Sequence, residues 1–363
     1  MYISTASSAL VLGFFVSFIV SIIIYKTKHL HSDKMLDQVE GVQKFHSVPT
    51  PRIGGIAIAG GLLAGWLVLT DETKQLFGLL SLAGLPVFAF GLAEDIFKTV
   101  SVRARLLASV FSGLLFYMIT GYAIERIFVW WFDPLLSISA ISIGLTVFAI
   151  ASATNAINII DGFHGLASGT ILLILFAIGF ASQSAGDTEL FVISSLLFTA
   201  TLGFFLVNFP FGKLFLGDGG AYFMGFAVAA LAVMLPARNS EISPWISPLI
   251  LSYPLTELVV SMTRKARLAG RSVGEPDGFH LHMLVYRIVV RSGRSKPEHV
   301  SHALTSLVLW TMPILSTGLV IVSDFSSQFS YLGTLGIFLL YLVLYNTALR
   351  LDRKWPVEAK PKG

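Results

Sequence analysis

The chain has 363 residues, of which 55% are hydrophobic and 13% charged, and its mean hydropathy is +0.77. That balance excludes both a water-soluble globular domain and a disordered chain, and fits a protein that crosses a membrane many times. The net charge is +4 and there is no cysteine, so disulfides and thiolate metal sites are excluded and nothing calls for nucleic acid.

Apolar stretches of about 17–22 residues, the length that crosses a bilayer as a helix, recur along the whole chain. They fall near 4–25, 53–70, 76–93, 106–121, 137–154, 165–182, 190–207, 220–236, 245–262, 303–322 and 331–349. The expected fold class is therefore all-α: a polytopic membrane protein of about eleven transmembrane helices, forming one integral domain over 1–363. The first stretch lacks a basic leader and a small-residue cleavage motif, so it reads as a retained helix. No internal repeat is visible. With the N-terminus outside, 22 of the 25 Lys and Arg residues fall on the inner face, leaving Lys74, Arg126 and Arg238 outside. The reverse orientation violates the positive-inside rule in almost every loop. All eight histidines share the inner face. The longest outer loop, "GYAIERIFVWWFDP", offers Trp130 and Trp131 to the interface.

Five inner segments hold groups able to do chemistry. In "KFHSVPTPRIGG", Lys44, His46 and Arg52 are cationic or become so, two prolines stiffen the chain, and Gly54–Gly55 permit close backbone approach. In "GLAEDIFKTVSVRARL", Glu94 and Asp95 end an apolar helix and are followed by Lys98, Arg103 and Arg105; adjacent acids at a membrane boundary suit a proton acceptor or a metal site. In "NAINIIDGFHGLASG", Asn155, Asn158 and Asp161 share one face if the helix continues, and His164 sits at the turn. In "NFPFGKLFLGDGGAYFMGF", Asp218 lies between glycines before a helix, a plausible setting for phosphate and Mg²⁺. The loop "TRKARLAGRSVGEPDGFHLHMLVYR" carries a basic run, Asp277, His280 and His282, better suited to phosphates than to structural zinc. Glu257 is a further intramembrane acid, for which Arg264 or Arg267 is the expected partner. Together these clusters describe a site for a phosphorylated substrate beside a lipid, on the cytoplasmic face. A transporter or lipid flippase is the alternative of another class, but the missing repeat and the one-sided polar groups weigh against it.

From "KFHSVPTPRIGGIAI" to "DGFHLHMLVYR", the motifs resemble, in order, those of the polyprenyl-phosphate N-acetylhexosamine-1-phosphate transferases. That superfamily includes undecaprenyl-phosphate GlcNAc-1-phosphate transferases and phospho-MurNAc-pentapeptide translocases; the Asp277–His280–His282 pattern looks more like the former. The resemblance implies transfer of sugar 1-phosphate from a UDP-N-acetylhexosamine to undecaprenyl phosphate, with Mg²⁺, or Mn²⁺ in its place, as cofactor. Glu94–Asp95 match an acidic pair that is usually Asp-Asp. Asn158 and Asp218 match residues implicated in binding the metal, and Arg105 one associated with the pyrophosphate. Asp161 matches the first acid of a "DGxDGL" motif, and His164 stands where the second aspartate is usual. His280 and His282 match an H-x-H-H motif whose last position is Met283, and Thr256–Glu257 resembles a Pro-x-x-Asp motif starting at Pro254. The resemblance therefore implies Glu94, Asp95 and Asp161 as catalytic residues. Substrate contacts are expected from Lys44, His46, Arg52, Lys98, Arg103, Arg105, Asn155, His164, Asp277, His280 and His282. The identity of the sugar, and oligomeric state including a homodimer, stay open.

Overall fold

The computed structural model describes residues 2–30, 36–37, 49–267, 278–292 and 297–354. The helices are α1 (Tyr2–Lys26), α2 (Gly54–Val68), α3 (Asp71–Phe97), α4 (Val102–Thr120), α5 (Asp133–Leu136), α6 (Ser139–Ile159) and α7 (Leu166–Ser184). They continue as α8 (Thr188–Asn208), α9 (Gly217–Arg238), α10 (Ile246–Ile250), α11 (Ser252–Ala266), α12 (Leu281–Ser292), α13 (Glu298–Val322) and α14 (Ser327–Lys354). A two-residue antiparallel pairing of Leu36–Asp37 with Thr50–Pro51 is the only sheet among the described residues.

Nine of the helices are long and apolar enough to cross a membrane, among the described residues. The chain is a polytopic all-α membrane protein. Each of the eleven apolar stretches falls on a helix, and two depart from a single full-length span. α2 has 15 residues, about 22 Å at 1.5 Å per residue, short of a ~30 Å hydrocarbon core. The stretch at 245–262 is broken at Leu251 into α10 and α11. Pro254 falls in the first turn of α11, where its missing N–H costs no helical bond.

α9 is the axis of the bundle: 83% of its apolar window is buried, against 22% for α14 and 28% for α1. α3, α6, α2 and α7 pack around it, and α1 lies outside against α2 and α8. Successive spans run antiparallel. The end of α3, the start of α4, the end of α6 and the start of α9 therefore meet at one end of the bundle, the end rich in Lys and Arg. Glycines make the meeting tight. A side chain on Gly55 would collide with the backbone of Gly220, and one on Gly91 with that of Asp218. The Gly54 and Gly55 N–H groups donate to Phe215 O and Leu216 O, both at 2.9 Å. At the opposite end Trp130 and Trp131 are exposed.

Candidate active site

α9 begins without a capping side chain of its own; its N-cap residue is Leu216. The first turn of a helix leaves backbone N–H groups without intrahelical partners and concentrates positive potential there. Asp95, from the last turn of α3, meets that need. Its Oδ1 accepts from Asp218 N at 2.9 Å and its Oδ2 from Gly219 N at 2.8 Å, and the residue is 1% exposed. The carboxylate thus welds two helices at the point where Asp218 leaves the backbone. Gly217 just before it has φ +75°, and a Cβ there would strike Arg52 O. Only glycine serves at this turn.

Asp218 is held from three directions. Arg52 Nη2 donates to Oδ1 at 3.0 Å, Arg105 Nη1 donates to Oδ2, and Asn158 Nδ2 donates to Oδ1 at 3.2 Å. Arg52 also lies 3.6 Å from Asp95 Oδ1. Arg105 sits over the Tyr222 ring, and its Nε is buried with no hydrogen-bond partner among the described residues. That is an unmet donor beside a carboxylate. Asp161 and Lys98 are within electrostatic reach of Asp95. Four of the five sequence segments are therefore brought to one point, in the form of Arg52, Asp95 with Arg105, Asn158 with Asp161, and Asp218.

Other expected residues are placed differently. Glu94 Oε2 accepts Val100 N at 2.8 Å and closes the turn between α3 and α4. Lys98, in left-handed conformation, ends α3 and is exposed, as is Arg103. Asn155 Nδ2 bonds back to Ala151 O at 2.8 Å and to Ser109 Oγ at 3.3 Å. The helix does not continue to Asp161: α6 stops at Ile159 and Asp161 N bonds Asn158 O in a turn. Gly162, Gly165 and Gly169 admit His282, Phe209 and Trp310, all protein side chains. Lys44, His46 and Asp277 lie outside the described residues.

His164 is 5% exposed, with Nδ1 3.0 Å from Pro210 O and its ring stacked on His302 at 4.0 Å. It forms the packed back of the turn 160–165, and its contacts are with protein. Asn208 holds the same turn. Its Oδ1 accepts Gly165 N at 2.7 Å and its Nδ2 donates to Leu214 O at 2.7 Å, tying the 160–165 turn to the strand of chain that leads to Asp218. Asn208 was not among the expected site residues, although it is a polar residue ending an apolar run, as Asn158 is. Phe163 joins the next layer, stacked on Tyr286 at 4.9 Å and edge-on to His282 at 5.6 Å. Burial, with Glu298 adding, pushes the Tyr286 phenol up to about 12, so it stays neutral.

Glu257, expected to pair with Arg264 or Arg267, instead binds His280 and Tyr341. Arg264 donates to Phe279 O at 2.9 Å and Tyr345 OH at 2.8 Å. The arginine lies two turns on, at the solvent end of α11, whereas His280 and Tyr341 reach the buried level of Glu257.

The arrangement offers hard oxygens at Asp218 and Asn158. A half-turn of the Asn158 amide would set its Oδ1 beside the carboxylate. With two arginines adjoining, these residues fit Mg²⁺ that takes most of its ligands from phosphate and water. Among the described residues no three His, Cys, Asp or Glu side chains form a metal cage.

Comparison with known proteins places this site in context. Residues 77–236 match the family described as glycosyl transferase family 4. The chain is 27% identical over 241 residues, 66% of each chain, to a Bacillus subtilis protein described as a probable undecaprenyl-phosphate N-acetylglucosaminyl 1-phosphate transferase. It is 27% identical to the decaprenyl-phosphate N-acetylglucosaminephosphotransferase of Mycobacterium tuberculosis, over 67% of each chain. Identity is also 27% to the undecaprenyl-phosphate alpha-N-acetylglucosaminyl 1-phosphate transferase of Escherichia coli, over 93% of this chain and 91% of the relative. The first two matches span about two thirds of those relatives, and the third nearly the whole length.

Proposed function

From the premise that this chain resembles the polyprenyl-phosphate N-acetylhexosamine-1-phosphate transferases, we propose that it transfers a sugar 1-phosphate from a UDP-N-acetylhexosamine to undecaprenyl phosphate. An oxygen of the lipid phosphate attacks the sugar-bearing phosphorus. The bond from that phosphorus to the bridging oxygen breaks, and UMP leaves with the electron pair. The product is a lipid-pyrophosphate-linked sugar that starts a cell-surface polysaccharide such as O-antigen or a wall polymer. The first sugar to test is GlcNAc, which the relatives' names carry; GalNAc and 6-deoxy-N-acetylhexosamines are the competitors.

The observation that supports this reading most is the setting of Asp218. It stands at the positive end of a buried helix, between Arg52 and Arg105 and beside Asn158. Phosphoryl transfer between two anions asks for in-line positioning and charge neutralisation more than for covalent help. Arg52 and Arg105 would hold the diphosphate, and Asp95 keeps Asp218 in place through the backbone of α9. Glu94 or Asp161 would orient the lipid phosphate. Asp218 and Asn158 would hold Mg²⁺, which would supply positive charge to offset that on the leaving group.

The acceptor's tail also has a plausible berth. A cavity of about 800 Å³ lies between α6, α9, α10, α11 and the loop 123–132 at the Trp131 end; Leu145, Phe148, Ala149, Val233 and Leu255 give it apolar walls, and Glu125, Arg126 and Arg238 line it as well. It reaches Ser152 and Ala153, about one turn along α6 from Asn155 and Asn158. In this reading the basic end faces the cytoplasm, both catalytic substrates meet there, and the protein resides in the bacterial inner membrane with its N-terminus periplasmic and C-terminus cytoplasmic. The test is UMP release by purified protein given UDP-GlcNAc and undecaprenyl phosphate. Release that depends on the lipid and on Mg²⁺ is expected. No release with any UDP-N-acetylhexosamine, or release indifferent to the lipid, would overturn it.

A further inference from the structure

Tyr222 follows Asp218 by one turn of α9. Residues four apart are neighbours on a helix face, and four residues at 1.5 Å each carry Tyr222 about 6 Å further along the helix, away from the basic end and into the bundle. The guanidinium carbon of Arg105 is 5.9 Å from the centre of the Tyr222 ring, within cation–π range, while Nη1 of the same arginine holds Asp218. The ring therefore seats one of the two arginines of the Asp218 cluster.

The hydroxyl is harder to account for by packing. Tyr222 is 4% exposed, and its oxygen makes no hydrogen bond among the described residues. A phenylalanine would fill the same space and offer Arg105 the same ring face. A hydroxyl withdrawn from bulk water without a partner costs the fold free energy and returns nothing to it. Nor is the oxygen sealed in, as Arg105 Nε is. Arg105 and Glu94 both lie within electrostatic reach of it. An open donor beside a cation is a setting for an anionic oxygen.

Depth decides which anion. A UDP-sugar is water-soluble and enters from the basic end, at the level of Arg52 and Asp218. A lipid phosphate is tethered to a chain that stays in the membrane, so it approaches Asp218 from the membrane side, where Tyr222 lies. We propose that the Tyr222 hydroxyl, with Arg105 beside it, binds the phosphate of the acceptor lipid, donating to one of its oxygens while another attacks. This rests on the transfer reaction proposed above, and it adds a lipid-phosphate contact to the residues that hold the diphosphate.

Y222F removes the oxygen and keeps the ring. Because that oxygen has no protein partner, the melting temperature of the full-length protein in detergent should not fall. Undecaprenyl phosphate added without UDP-sugar should protect wild type against thermal unfolding. Y222F should need about tenfold more of it for the same protection, the scale of one hydrogen bond to a charged oxygen. Undecaprenol, which has the tail and lacks the phosphate, should protect both proteins alike. In the transfer assay KM for undecaprenyl phosphate should rise about tenfold, and KM for UDP-GlcNAc should change by less than about twofold.

A lower melting temperature in Y222F would mean that the hydroxyl bonds within the protein, and would overturn the inference. So would equal protection of both proteins by undecaprenyl phosphate, an equal loss of protection by undecaprenol, or a KM that rises for the UDP-sugar instead of the lipid. Wild-type protein that undecaprenyl phosphate protects through Tyr222, but that releases no UMP, counts against the transfer reaction and leaves the lipid-phosphate contact standing.

Discussion

Both ends of the bundle carry a partly buried charge network, and the two are built differently. At the end bearing Trp130 and Trp131, the centre is a cation. Arg238 Nε and Nη2 grip Asp187 at 2.6 and 3.0 Å, Nη2 also reaches Glu189 at 2.7 Å, and Nη1 donates to Tyr122 OH at 3.0 Å. Asp187 caps α8 through Leu190 N at 3.1 Å. Two acids surround one arginine with all three of its nitrogens bonded, and the effect is to tie the end of α9 to the start of α8. At the basic end the centre is an acid. Asp218 has two arginines and an amide about it, Lys98 and Asp161 stand near, and Arg105 Nε has no partner among the described residues. The first network is complete in itself. The second keeps a buried arginine N–H, Arg105 Nε, without a partner among the described residues, a donor of the kind a diphosphate would use.

The sharpest way to break this contrast is at Asp218. D218N should lower kcat by roughly 10³-fold or more, as loss of a central electrostatic group does, measured as UMP release. Because Asp218 is 6% exposed and holds two arginines, D218A should also lower the melting temperature, which is why the asparagine variant is the cleaner probe. D95N comes next. An amide offers one acceptor where two backbone N–H groups are now bound, so kcat should fall about 10–100-fold with KM less affected. Near-normal turnover would separate the α9 cap from catalysis. N158A should raise the Mg²⁺ concentration for half-maximal rate about tenfold, read from a metal titration, and leave the rate at saturating Mg²⁺ closer to wild type.

The opposite end supplies the controls. R238M should leave kcat within about twofold and lower the melting temperature by a few degrees, since it strands two acids at a helix junction. Loss of turnover at intact stability would mean that this end is more than a clamp. The smallest effect concerns pH. Burial alone would raise the Asp187 carboxyl, but the Arg238 donors and the Leu190 N–H outweigh it and hold Asp187 below its ordinary 3.8. The sign follows: a depressed folded value gives stability that is present above about 3.8 and lost as pH falls through the lower folded value. Wild type should lose thermal stability below about pH 4 more steeply than D187N, whose side chain does not titrate.

Sequence alone determined the class of the molecule. Eleven apolar stretches and an uneven distribution of Lys and Arg suffice for a polytopic helical bundle with its polar loops gathered at one end, because the bilayer punishes any other backbone arrangement. The same composition marked Arg52, Asp95, Arg105, Asn158 and Asp218 as chemistry-bearing, since polar residues at the ends of apolar runs have few other reasons to be there. What each of them touches was beyond its reach. Asp95 looked like half of an acidic pair and proves to be the cap of a helix that starts 122 residues later, at Gly217. His164, expected among the substrate contacts, stacks its ring on His302, more than a hundred residues along the chain, a packing partner that no local pattern announces. Asn208, Tyr341 and the real partners of Glu257 were likewise invisible. Hydropathy is a local property and survives in the order of residues. The satisfaction of buried donors and acceptors is settled between helices distant in the chain, by how closely glycine-lined backbones approach, and only the packed bundle decides that.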